Sequence, residues 1–179
     1  MHMPLKRMIM LAMAVTILFV QEQMLMFMPN IQFTTLLIIL FVTMFTFKES
    51  VVIIGVYVFL DNLFLGGLNP VYTPAMLIAW MLIPILWHTV LRRTTNVRTL
   101  AFFGLVFGFL YGWVFIPFTM IQVGIFDIGP YLLADLPFEL LMAGTNFVTI
   151  LWLYEPLRKV FLREMPTLGR QSLSPHKNL

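Results

Sequence analysis

The 11 lysines and arginines of this chain fall only in alternate gaps between its long apolar runs. Lys6 and Arg7 precede the first run, Lys48 lies between the second and third, and Arg92, Arg93 and Arg98 lie between the fourth and fifth. Arg158, Lys159, Arg163, Arg170 and Lys177 follow the sixth. Short cytoplasmic loops of membrane proteins collect cations and external loops do not, so this segregation predicts six crossings with both termini cytoplasmic. Five or seven crossings would break it. Composition agrees: 60% of residues are hydrophobic and 11% charged, against about 45–50% apolar residues in a soluble domain. The chain reads as an all-α integral membrane protein, and its 179 residues hold about six spans of roughly 20 residues.

The spans are expected at about 8–27, 33–47, 51–65, 71–91, 99–118 and 131–153, as one transmembrane domain over 1–179. A polar, basic tail at 164–179 is expected to be flexible. Met28-Pro29-Asn30 reads as a tight turn, because proline lacks the helix N–H and disfavours helix in the residue before it. Gln21-Glu22-Gln23 interrupts the first apolar run, and Lys48-Glu49-Ser50 separates the second from the third. Spans two and three are short for a bilayer core of about 30 Å, so their outer ends leave a hollow there. Pro74 and Pro84 can each kink the fourth span. Gly104, Gly108 and Gly112 form a row of small residues on one face of the fifth, which lets a neighbouring helix come close. The loop from Thr119 to Pro130 carries no cation. Lys6-Arg7, an apolar run and Ala12-Met13-Ala14 resemble a signal peptide, but the small residues lie inside the run, so the first helix is read as retained.

Charged and amide side chains at membrane depth are functional candidates, since burying them is costly unless they face a cavity or a partner. Gln21, Glu22, Asp61, Asn62, Asp135 and Glu139 fall in the outer halves of spans one, three and six. Helix–helix bonding would account for them too, and interfacial water for Asp61 and Asp135. Tyr72, Trp80, Tyr111, Trp113 and Tyr131 could stack on a flat ring, although an interfacial aromatic belt explains Tyr72 and Tyr131 equally. Trp87 and His88, close to Arg92, read as an interfacial anchor. Asn30, Gln32, Asn69 and Gln122 in the outer loops could bond a ligand or water.

Several classes are excluded. The chain has no cysteine, hence no disulfide and no thiolate chemistry. It has no glycine-rich phosphate loop, no H-E-x-x-H and no Ser/His/Asp set at one depth, so no catalysis is expected. A two-carboxylate mechanism using Asp61 and Asp135 stays open. The cations sit at the mouths of apolar runs rather than along one face, which reads as topology and not nucleic-acid binding. The 14 methionines are adaptable packing.

The length, the six spans, the cytoplasmic termini and the short outer loop Pro29-Asn30-Ile31-Gln32 running into Thr34-Thr35 resemble the substrate-binding S components of energy-coupling factor (ECF) transporters. The resemblance implies a plasma-membrane subunit without cofactor that captures a micronutrient in an outward pocket. It then docks on a transmembrane coupling protein driven by two cytoplasmic ATPases, toppling in the bilayer to carry the pocket inward. Ala12, Ala14 and Thr16 would belong to the docking face, with Ala12 and Thr16 standing where the family usually has Ala-xxx-Ala. Met1-His2 resembles the start of nickel and cobalt S components, whose terminus ligates metal from outside. Here Lys6-Arg7 holds that terminus inside and no second His or Cys lies in the outer half, so no metal is expected.

An outer half with carboxylates and amides but no Lys or Arg disfavours anionic vitamins. Neutral or cationic ligands remain: cobalamin, riboflavin, thiamine, a queuosine precursor, pyridoxal-type compounds. The short first loop and the glycine-bearing third leave the mouth open for a large ligand. The Pro-Asn-Ile-Gln turn looks most like that of the cobalamin S components, which puts cobalamin first.

Overall fold

The computed structural model describes residues 5–28, 30–92, 94, 96–124 and 127–164. They form α1 (Leu5–Leu25), α2 (Thr34–Met44), α3 (Phe47–Phe64), α4 (Tyr72–Leu86) running into a π-helical turn (Trp87–Leu91), α5 (Val97–Val123) and α6 (Ile128–Glu164). No strand occurs among the described residues.

Local signals set the helix ends. Thr46 starts α3 with a capping box: its hydroxyl accepts from the Glu49 N–H at 3.4 Å, and the Glu49 carboxylate accepts from the Thr46 N–H at 2.8 Å. The segment Lys48-Glu49-Ser50, expected as a loop, is therefore the first turn of α3. Asn69 accepts from the N–H groups of Val71 and Tyr72 at the start of α4, and Asn96 accepts from the Arg98 N–H at the start of α5. Gly124, left-handed at φ 73°, closes α5. That helix extends past the expected end at Phe118, and most of the expected 119–130 loop is helical. Gln21-Glu22-Gln23 does not interrupt α1. Pro74 lies in the first turn of α4, where its missing N–H breaks nothing. Pro84 lies inside the helix and the π-helical turn follows it.

Leu5–Leu25, Tyr72–Leu91, Val97–Val123 and Ile128–Arg163 are long and apolar enough to cross a membrane. The other two helices differ from the expected spans. α2 has 11 residues and reaches only about 16 Å. α3 has 18 but carries Lys48, Glu49 and Asp61. Its apolar circumference explains the place of α2: residues 36–42 are all buried, and α1, α3, α4 and α6 pack around it. A helix apolar on every side needs cover on every side. The outer surface is apolar too, with Met8, Phe102, Leu133 and Trp152 exposed, as lipid contact requires.

α5 and α6 run antiparallel along the glycine row. A Cβ on Gly108 would lie 2.6 Å from the Ala143 backbone, and Gly104 faces Ile150 and Asn146. The Asn146 amide donates to the Gly104 carbonyl at 3.1 Å. Gln21 against Thr34 sets α1 antiparallel to α2, Asn62 against Thr73 does so for α3 and α4, and Tyr72 against Phe115 with Trp80 against Phe107 for α4 and α5. All described lysines and arginines consequently share one end of the bundle, and Asn30 lies at the other. The 37-residue α6 is about 55 Å long and carries Arg158, Lys159 and Arg163, expected beyond the last span, within its final turns. The tail at 165–179 and His2 lie outside the described residues.

Candidate functional site

At the Asn30 end, a cleft of about 170 Å³ opens between α5 and α6. Gly108, Tyr111, Gly112, Phe115 and Thr119 form one wall, Tyr131, Asp135, Glu139 and Met142 the other, and Asn30 reaches over from the α1–α2 connection. Asn30 holds φ at 61°, the left-handed region that asparagine tolerates better than most residues. Each wall follows from helical spacing: 111, 115 and 119 recur every four residues, as do 131, 135 and 139. Pro117 and Pro137 lie inside these helices, so the carbonyls of Trp113 and Leu133 lose their usual N–H donors.

Glu139 is 5% exposed and its Oε1 has no hydrogen-bond partner. Asp135 lies one turn earlier on the same face, where like charges repel. The lining contains no Lys, Arg or His. The Tyr131 and Thr119 hydroxyls are 3.5 Å apart across the cleft. Aromatic rings back the α5 wall: Tyr72 stacks on Phe115, Phe115 lies 5.0 Å from Tyr111, and Tyr111 lies 4.8 Å from the buried Trp80.

A second polar group lies where α1 ends and α2 begins. Gln21 donates to Thr34 Oγ1 at 2.6 Å and accepts from the Phe33 N–H at 3.0 Å. Thr34 donates to Glu22 at 2.5 Å. Gln32, in the amide orientation that satisfies both its ends, donates to Glu22 at 2.7 Å. These bonds tie both ends of the connection that carries Asn30. Beside it, Gln23 donates to the buried Asp61 at 2.7 Å, and the fully buried Tyr57 lies against Glu22 and Thr34.

The remaining candidates are dispersed. Asn62 bonds Thr73, Met76 and the Val58 carbonyl, and Asn69 caps α4. Trp113 is not among these: 52% exposed, it borders the cleft beside Glu139; Gln122 is exposed beyond the cleft. Ala14 is buried, whereas Ala12 and Thr16 are exposed on α1, the Thr16 hydroxyl donating to the Ala12 carbonyl at 2.9 Å. His88 meets Phe47 edge-on.

Residues that reading the sequence passed over as site candidates include Tyr57, Phe115 and Thr119, and Thr34 enters that reading only as part of a turn motif. The four-residue spacing from Tyr111 could have found Phe115 and Thr119; nothing in the sequence marks Tyr57. One cation also needs correcting. Arg7, counted as a flanking charge, lies inside α1 at 9% exposure and makes a bidentate ion pair with Glu49 at 2.5 and 2.6 Å, its guanidinium 5.6 Å from the Phe45 ring centre. Among the described residues no three His, Asp or Glu side chains converge as a metal site would need. No family model, curated protein or solved structure matches the chain.

Proposed function

We propose that this chain is the substrate-capturing membrane subunit of an ECF-type importer, with the Asn30 end outside the cell and both termini in the cytoplasm. The observation that carries this reading is the cleft. It is polar, aromatic-walled and free of cations, and it lies between two long apolar helices with a carboxylate oxygen in its wall that has no partner. Segregation of every described Lys and Arg to the opposite end supports the orientation. On this reading α2 and α3 complete six spans, and the short, fully enclosed α2 leaves the hollow that the α1–α2 connection covers. The chain itself catalyses nothing. Ala12 and Thr16, exposed on α1, offer a small-residue face to the coupling protein.

The ligand is a neutral or cationic micronutrient. A cleft of about 170 Å³ falls below the roughly 300–1,000 Å³ of drug-sized ligand pockets, which favours a compact ring such as thiamine's over cobalamin. A corrinoid would require the tethered Asn30 connection to swing away. Affinity purification from native membranes tests the proposal: a coupling protein and two ATPases should co-purify, and cysteine labelling should find both chain ends inside. A chain that purifies alone and turns over a lipid or peptide, with activity lost on Asp61→Asn, would replace it with the two-carboxylate enzyme.

A further inference from the structure

Gly112 differs from the two glycines below it. Gly104 and Gly108 face Ile150 and Ala143, but a Cβ on Gly112 would lie 2.5 Å from Glu139 Oε1. The top of the row therefore makes room for a carboxylate. That carboxylate is 5% exposed with Oε1 unpartnered, and a buried charge without a partner is unfavourable until something pairs with it. Asp135 adds a second negative charge one turn away, and the lining supplies no positive one.

From this we infer that the cleft takes an organic cation, a single ring bearing an ammonium group, whose N–H groups donate to Glu139 and Asp135 while the ring lies against Tyr111 and Phe115. The inference rests on the capture reading above and narrows its ligand class. One bound positive charge turns the repulsion between Asp135 and Glu139 into attraction by both. Two rings 5.0 Å apart in the same wall add a surface that favours both an aromatic ligand and a cation. A bare Ca²⁺ fits the lining less well, because it needs six to eight oxygens and much of this wall is ring and methylene.

The test uses the full chain in detergent, titrated by calorimetry with benzylammonium chloride, benzyl alcohol and sodium benzoate. Benzylammonium should bind at least about tenfold more tightly than benzyl alcohol, and benzoate should not bind. Glu139→Gln should remove that preference while leaving benzyl alcohol affinity unchanged, Gly112→Ala should weaken it, and Trp152→Phe, on the exposed face of α6, should not affect it. Equal affinity for amine and alcohol, a preference that survives Glu139→Gln, or failure of all three compounds to bind would overturn the inference. So would heat from calcium chloride that competes with the amine, which would mark an inorganic ion site. The capture reading would survive each of these results if the coupling protein and ATPases still co-purify, and fails by itself if they do not.

Discussion

Glu49, at the Arg7 end, and Glu139, at the Asn30 end, are buried to 8% and 5% exposure, yet their surroundings differ. Glu49 accepts from the Arg7 guanidinium, the Thr46 N–H and the Thr46 hydroxyl. Glu139 leaves an oxygen with no donor. A saturated buried charge fixes structure: this one joins the start of α1 to the start of α3 and caps α3. An unsaturated one keeps capacity for something outside the chain. Equal burial thus carries opposite meanings, and the partner count separates them.

Six variants sharpen the contrast. Glu49→Ala strands Arg7 in a nearly dry site and should cost about 3–5 kcal/mol, read as a fall in thermal unfolding temperature in detergent. Arg7→Met with Glu49→Leu should recover most of that loss. Gly108→Ala forces the backbones of α5 and α6 apart and should cost about 1–3 kcal/mol. Gly104→Ala meets only the tip of the Ile150 side chain and should cost less in the same assay. Thr34→Val removes the hydroxyl shared by Gln21 and Glu22 and should cost about 1–2 kcal/mol. It should also speed proteolysis at 26–33, because that connection loses a tether. Glu139→Gln should leave stability within about 0.5 kcal/mol or raise it, since Oε1 has no donor to lose and the repulsion from Asp135 is relieved. A destabilisation as large as that of Glu49→Ala would make Glu139 structural and erase the distinction.

Much of this arrangement was legible in the sequence. Cation spacing gave the helix count and the common end, because that signal is written in loops. The glycine row gave the α5–α6 contact, because only a missing side chain permits it. Asn30, proposed from an outer loop, Tyr111 and Tyr131, proposed as stacking rings, and Asp135 and Glu139, proposed as acids at membrane depth, line one cleft. Other features were illegible for physical reasons. Lys48-Glu49-Ser50 looked like a break between spans because charge was read as loop, whereas Thr46 and Glu49 cap a helix through side-chain geometry that hydropathy cannot register. Arg7 looked like a topology signal because its partner is 42 residues away in sequence. The short α2 was drawn too long because an apolar run shows where burial is possible, not where the helix stops.

The most direct measurement is native mass spectrometry of the wild-type chain and Glu139→Gln, each purified from cells in rich medium. Wild type should carry one compact, positively charged ring compound that Glu139→Gln has lost. An empty wild-type chain, or the same neutral or anionic molecule on both proteins, would contradict a cleft built around an unsatisfied carboxylate.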